Sequence, residues 1–524
     1  MSINLQQKTF NTTGVCIEHM HYMVNIEDKL DKIIDLINKN NYFVINRPRQ
    51  FGKTTTLSKL QERLNEKYTI IRISFEGIGD KAFSDEELFC KIIIKLFSKA
   101  LKKTNKELSL NLRNKEVNIH TLFDLDEAIT DFIDESDKEV ILIIDEVDKS
   151  SNNQLFLSFL GMLRNKYLLM RENIENSFKS VILAGVNDIK NLKISIRDGE
   201  ELKQNSPWNI AINFDIDMSF SIYEIETMIV EYGKINKLEM DTKEISNKIY
   251  YYTNGYPFLV SRMCQIIDED ILNMNKRIWT TDDIKESIKL ILREKNTLFE
   301  SLVKNMESNK DLYQIIKEIT LNGVFITYNA LNPVIELGIK YGILREFDNR
   351  IVINNRLYEQ VIYNYMISKI ETSNYIVNYN HKNNFIINKE ELDFESIMLK
   401  YQQFMKEQYS SKDLGFIERE GRLLFLAFIK PIINGVGFDF KEVQISEEKR
   451  LDVVITYNKY KYIVELKIWY GEQYHENGLK QLANYLDIEN LDNGYLLVYN
   501  FNKNKEYKHE VVYVGNKKIF VVYL

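Results

Sequence analysis

The tripeptide Gly52-Lys53-Thr54 follows the apolar run Tyr42-Phe43-Val44-Ile45 and precedes Leu57, Leu60 and Leu64, which share one helical face. A strand, a tight loop, Gly-Lys-Thr and a helix together suit the gripping of nucleotide phosphates. Backbone N–H groups and the helix N-terminus face the phosphates, the lysine spans the β- and γ-oxygens, and the threonine hydroxyl reaches magnesium. The loop residues Arg47, Pro48, Arg49, Gln50 and Phe51, with Thr55 beyond, complete the candidate contacts. The strict pattern has glycine where this chain has Arg47, so the loop alone is a weak signal. A second segment strengthens it: residues 140–144 are an unbroken apolar run ending in Asp145 and Glu146. That run predicts a strand buried on both faces. Asp145 would join the magnesium shell and Glu146 would polarise an attacking water. Either motif alone also suits a core strand with a polar turn; together, in this order, they predict a site for ATP and Mg²⁺. Another run, residues 181–184, ends in Gly185-Val186-Asn187. Asn187 there would either sense the γ-phosphate or simply close a turn.

A second constellation lies in residues 450–467. If this hairpin turns at Asn458-Lys459, Leu451, Val453 and Ile455 face Leu466, Val464 and Tyr462 on a core side. The other side then carries Asp452, Glu465 and Lys467, with Asp452 directly across from Glu465. Facing Cβ atoms on paired strands lie roughly 4.5–5.5 Å apart, so two carboxylates repel unless a cation sits between them. Such oxygen ligands suit Mg²⁺ or Mn²⁺, which keep several waters and take further ligands from substrate phosphate. Lys467 could orient or deprotonate the attacking water or stabilise developing charge, which is the chemistry of phosphodiester hydrolysis. A surface hairpin whose acids pair with Lys467 and Arg450 is the plainer alternative. The preceding helix offers a third carboxylate, Glu420 in preference to Glu418, and the following one sets Gln481 and Tyr485 four apart on one face.

These residues need elements to hold them. A chain of 524 residues exceeds the roughly 250–300 at which single cores stop growing, so several domains are expected. Apolar runs at residues 43–45, 70–75, 140–144, 181–184 and 210–214 alternate with helical patterns, which predicts a parallel sheet covered on both faces. Residues 1–220 are assigned to this domain. Residues 221–370 turn mainly helical, interrupted by Gly255-Tyr256-Pro257, and close on a hairpin at Asp348-Asn349. Helices followed by such a hairpin suggest a winged helix, which would hold DNA or pack as a lid or interaction surface. Residues 371–390 read as a linker and 391–524 as a final α/β domain.

Composition narrows the function. Hydrophobic residues make up 44% and charged residues 28%, and no apolar run reaches the roughly 20 residues of a membrane span. No charged-then-apolar leader opens the sequence, and Cys16, Cys90 and Cys264 are scattered without metal spacing, so a reducing cytoplasm and no membrane partner are expected. A net charge of −7 gives no global attraction to nucleic acid, so any such contact is local. The lysines between Lys91 and Lys106 are the best local candidate, although a solvated helix face is the favoured reading of them.

The first half resembles the AAA-like ATPases of prokaryotes, whose phosphate loop typically reads Arg-Pro-Arg-Arg-Phe-Gly-Lys-(Ser/Thr); Arg47 to Thr54 match it closely, which makes Arg47 a family trait. Asn205 to Ala211 also resemble that group, and Gly255-Tyr256-Pro257 resembles related signalling-type P-loop ATPases. The tail is similar to the PD-(D/E)XK nuclease superfamily, whose helix acid, strand Asp and Glu-x-Lys correspond to Glu420, Asp452, Glu465 and Lys467, with Gln481 in support. The resemblance implies an α/β chain: a P-loop parallel-sheet ATPase domain with a helical and winged-helix extension, then an α/β restriction-endonuclease-like domain. It also implies ATP binding or hydrolysis governing a metal-dependent nuclease, acting on DNA rather than RNA, with a role in defence against mobile DNA. A homo-oligomer would be needed if Arg197 reaches a neighbour's nucleotide, as arginines of AAA-type sites do. The alternative is a nucleotide-switched interaction or DNA-binding protein whose nuclease-like tail is silent.

Overall fold

The computed structural model describes residues 8–147, 153–186, 208–272, 278–322, 326–372, 385–387 and 391–408, short stretches between 424 and 450, and residues 453–457, 460–502 and 505–524. Contacts divide the chain into two units: Met1–Asn305 with Tyr328–Phe347 and Asn354–Leu357, and Met306–Thr327 with Asp348–Ile353 and Tyr358–Leu524.

In the first unit, strands β1 (Phe43–Asn46), β2 (Thr69–Ser74), β3 (Val140–Asp145) and β4 (Ser180–Gly185) form a parallel sheet in the order β1-β4-β3-β2. Helices α1 (Glu27–Asn38), α2 (Lys53–Leu64), α3 (Glu86–Leu101), α4 (Lys106–Lys115), α5 (Leu122–Asp134) and α6 (Gln154–Arg171) lie between or before them. All six residues of β3 and of β4 are buried, which explains their unbroken apolar sequence. Parallel strands put their carboxyl ends on one edge, where open α/β sheets bind ligands. The Gly-Lys-Thr loop leaves β1 at that edge and Asp145 ends β3 there, with β4 in between.

The fifth apolar run is not a full strand. Ile212 alone makes a parallel bridge to Phe43. Just beyond, Arg47 donates to the carbonyls of Phe214 at 3.2 Å and Ile216 at 2.8 Å, so a side chain occupies acceptors that a strand would offer its neighbour. The lysines of α3 behave as a solvated face: Lys91 pairs with Glu87 and Lys95 with Glu116, while Phe89, Ile93 and Phe97 are buried.

The same unit continues through α7 (Ile222–Asn236), α8 (Thr242–Thr253), α9 (Pro257–Ile266), α10 (Thr281–Ile291) and most of α11 (Thr297–Glu307). Asn254 and Gly255 both adopt left-handed backbone between α8 and α9. At Gly255 the requirement is absolute, because an added Cβ would lie 1.9 Å from the carbonyl oxygen of Phe220. Phe220 in turn donates its N–H to the Gly255 carbonyl at 2.8 Å. Gly255→Ala is therefore expected to destabilise this unit by about 1–3 kcal/mol and to displace the start of α9. Urea denaturation of the variant against the parent checks it.

Strands β5 (Leu344–Phe347) and β6 (Arg350–Ile353) are separated by Asp348 and Asn349, both at positive φ, which matches the predicted two-residue turn. In the second unit, β7 (Gly437–Lys441), β8 (Val453–Tyr457), β9 (Tyr460–Ile468), β10 (Asn493–Tyr499), β11 (His509–Val514) and β12 (Lys517–Tyr523) form one sheet in the order β7-β8-β9-β10-β12-β11. Strands β9, β10 and β12 run parallel. Helices α12 (Phe394–Gln408) and α13 (Glu472–Ile488) belong to this unit. Tyr457 pairs with Tyr460, Ile455 with Tyr462 and Val453 with Val464, the register expected for a turn at 458–459.

The hairpin departs from expectation in burial. Both of its faces are covered, not one. Phe394 of α12 stacks on Tyr462 at 4.8 Å on one side. On the other, Val454 and Ile463 join Leu479, Leu482 and Leu486 of α13 in a single core. The polar residues at the end of this second face disguise it in the sequence as a wholly solvated one. No helix among the described residues is long and apolar enough to cross a membrane.

Candidate active sites

The first site begins at α2. Its N-terminus has no side-chain cap and no acidic residue in its first turn, so its leading N–H groups keep their capacity for an anion. Helices α3, α5, α6 and α7 of the same unit are all capped by a side chain. Gly52 supplies the left-handed residue at the turn (φ +77°). The Lys53 ammonium donates to the carbonyls of Arg47 at 2.8 Å and Pro48 at 3.0 Å, folding the loop around it. Tyr256 clamps the loop from outside, donating to the Arg49 carbonyl at 2.7 Å and meeting Phe51 edge-on.

A cavity of about 850 Å³ opens over this loop. Arg49, Gln50, Phe51, Gly52, Lys53, Thr54 and Thr55 line it with Glu146. Met23, Ile26, Met218, Phe220 and Met228 add an apolar lining able to take a flat base. Pro257 and Phe258 at the start of α9 complete the wall, which is why the Gly255 crossing matters to this site. The N-terminal segment and the methionines carry no phosphate chemistry, and no spacing in the sequence points to them.

Arg72 organises the side formed by Thr54 and Asp145, and a lone charge inside a mostly apolar strand was its only signal. Its Nη2 donates to the Thr54 carbonyl at 3.1 Å and contacts Asp145 Oδ2 at 3.4 Å, holding these two residues side by side. Asp145 is buried, and its Oδ1 accepts the Glu146 N–H at 3.0 Å. Glu146 sits at φ +56°, a left-handed conformation that costs a non-glycine residue about 1–3 kcal/mol and clusters at functional sites. A hydroxyl and a carboxylate are hard oxygen donors that suit Mg²⁺ sharing its remaining positions with phosphate and water. Arg47 faces elsewhere: its guanidinium holds Phe214 and Ile216, burial works against its charge, and Asp217 and Asp215 work for it. From Arg47 and Pro48 it is the backbone carbonyls that address Lys53. Asn187 and Arg197 lie outside the described residues.

The second site lies on β9. Glu465 is 1% exposed, and its Oε1 pairs with Lys467 Nζ at 2.8 Å. A buried carboxylate is costly unless paired, which this ammonium achieves from two residues along the same face. The stem of Lys467 runs against Gly478 of α13, where an added Cβ would sit 3.6 Å from Lys467 Cγ. One turn on, Gln481 donates to the Tyr485 hydroxyl at 2.9 Å, the predicted four-residue pair. His475, in the first turn of α13, bonds the Tyr523 hydroxyl at 3.1 Å, and burial lowers its pKa. Asp452, Glu420 and Glu418 lie outside the described residues, and among the described ones no three metal-ligating side chains cluster.

An AAA-like domain model matches residues 17–364. A PD-(D/E)XK nuclease superfamily model matches residues 434–512. No curated protein matches the chain. Among solved structures, a Walker-type ATPase of Pyrococcus abyssi is 15% identical, covers 67% of this chain and 99% of its own, and gives a TM-score of 0.46. The ORC2 protein of Aeropyrum pernix is 12% identical over 70% of this chain and 98% of its own, with a TM-score of 0.38. The RuvB Holliday junction branch migration motor of Thermotoga maritima is 13% identical over 64% and 94%, with a TM-score of 0.32. With the family model spanning well over half its length, the chain belongs to the AAA-like domain family and carries a PD-(D/E)XK nuclease superfamily domain behind it.

Proposed function

We propose that the chain binds and hydrolyses ATP in its first unit and that this cycle governs a metal-dependent nuclease in its second, cleaving DNA in cytoplasmic defence against mobile DNA. The observation that carries this reading is the buried Glu465 held by Lys467 on the strand of the nuclease superfamily segment. Burying a charge costs several kcal/mol even when it is paired, and an apolar pair would serve folding equally well.

In the ATP site, Lys53 exchanges the carbonyls of Arg47 and Pro48 for β- and γ-phosphate oxygens. Thr54 and Asp145, kept adjacent by Arg72, would hold Mg²⁺, which neutralises charge building on the phosphates. Glu146 orients and deprotonates water, and Asn187 reads the γ-phosphate. The segment around β5 and β6 acts as a winged helix that holds DNA or packs as a lid or interaction surface. Arg197 would act in trans in a homo-oligomer.

In the nuclease site, Asp452 and Glu465, with Glu420, would hold Mg²⁺ or Mn²⁺, which supplies Lewis-acid activation of a phosphodiester. In the proposed site Asp452 would face Glu465, one position beyond the described Val453–Val464 pair. Lys467 positions the attacking water and stabilises charge on the phosphoryl oxygens, while Gln481 and Tyr485 border the site. Incubating the protein with plasmid, Mg²⁺ and ATP tests this. The parent should cut and Asp452→Ala should not; equal cutting by both rejects the assignment.

A further inference from the structure

The loop that leaves β9 and the first turn of α13 each carry an exposed aromatic side chain, Tyr470 and Tyr474. Tyr470 is 67% exposed and Tyr474 46% exposed, and their rings meet edge-on at 5.4 Å. Single exposed tyrosines are common on protein surfaces, but this pair begins three residues after Lys467, at most about 11 Å along the chain. They stand at the carboxyl edge of the parallel strands β9, β10 and β12.

Behind them the edge is firmly packed. Trp469 lies against His475 at 5.4 Å and Tyr523 at 5.9 Å. Tyr523, buried at the end of β12, donates to Glu510 at 2.6 Å. The cations lie along the same edge. Lys508 sits 4.6 Å from the Tyr523 ring centre and is exposed, and Lys505 sits 5.0 Å from the ring of Tyr507. Glu472 and Glu476 lie on the first turns of α13.

We propose that this edge is a stacking platform for single-stranded polynucleotide, with Tyr470 and Tyr474 taking successive bases and Lys508 and Lys505 taking the backbone, so that the nuclease site receives an unpaired strand. Exposed aromatic faces beside lysines fit splayed bases, whereas duplex DNA hides its base faces inside the stack. Delivery of the strand for cutting rests on the proposed nuclease activity, but the platform itself is tested by binding alone.

The chain has an internal reporter. Of its three tryptophans, Trp208 and Trp279 are buried and Trp469 lies beside the platform. Full-length protein in EDTA is titrated with a single-stranded oligodeoxynucleotide, its RNA counterpart and the DNA duplex, while tryptophan fluorescence is followed. Quenching by the single strand at least tenfold tighter than by the duplex is expected, and the DNA and RNA arms identify the sugar preferred. Each of Tyr470→Ala and Tyr474→Ala should weaken binding roughly tenfold at unchanged melting temperature, and Tyr→Phe at both positions should restore it. Equal affinity for the duplex, or a double alanine variant that binds as the parent does, overturns the platform. Tight single-strand binding without cleavage when Mg²⁺ is restored supports the platform and counts instead against the nuclease activity.

Discussion

Lys467→Ala is expected to lower phosphodiester cleavage by about 10²–10⁴-fold while leaving ATP affinity unchanged. The ammonium pairs with a carboxylate that is 1% exposed, and it sits on the strand face that would meet the phosphate. Its removal has a second consequence. A buried ion stripped of its partner costs about 3–5 kcal/mol, so the alanine variant should also melt its second unit earlier. Lys467→Arg separates the two effects. It keeps the charge and the fold's stability, but a planar fork cannot replace a compact ammonium at the water, so cleavage should stay low. Cleavage of a labelled oligonucleotide and calorimetric melting of the same preparations decide the matter. Full activity in the arginine variant would show that Lys467 contributes only charge compensation.

Glu146→Gln should retain ATP with near-parental affinity and lose about 10²–10⁴-fold in its hydrolysis. Glutamine preserves the shape and the N–H that Asp145 accepts, and removes only the base. It also accepts the same left-handed backbone, so no new strain enters (φ +56°). If the ATP cycle governs the tail, the variant holds the protein in its ATP-bound form and cleavage becomes independent of further ATP. Phosphate release under saturating ATP measures the first effect and plasmid nicking the second. Undiminished phosphate release would move the role of base to another residue.

Local chemistry made the elements around both candidate sites legible in the sequence. Gly52-Lys53-Thr54 and Asp145-Glu146 are consecutive residues whose meaning depends only on a strand and a helix to either side, and both elements formed. The hairpin register was legible because a two-residue turn fixes every pair beyond it. What the sequence hid depends on distant chain. Arg72 gains its role only when β2 pairs beside β3, and the apolar lining of the cavity is assembled from residues near 23, 218 and 258. The second buried face of the hairpin needed α13 to arrive from outside it. Arg47 misled differently. As a loop residue it looked aimed at phosphate, yet its guanidinium completes the truncated fifth strand. Strands β11 and β12 escaped notice because Lys517, Lys518, His509 and Glu510 break the apolar pattern at their ends.

Crystals of the full chain grown with a non-hydrolysable ATP analogue and soaked in Mn²⁺ would bring both chemistries into one anomalous map. Two manganese peaks are predicted: one within coordination distance of Thr54 and Asp145 at the nucleotide, and one between Asp452 and Glu465. A peak at the nucleotide alone, with Asp452 turned to the other side of the sheet from Glu465, would contradict the cutting role and leave an ATP-handling protein with a silent tail.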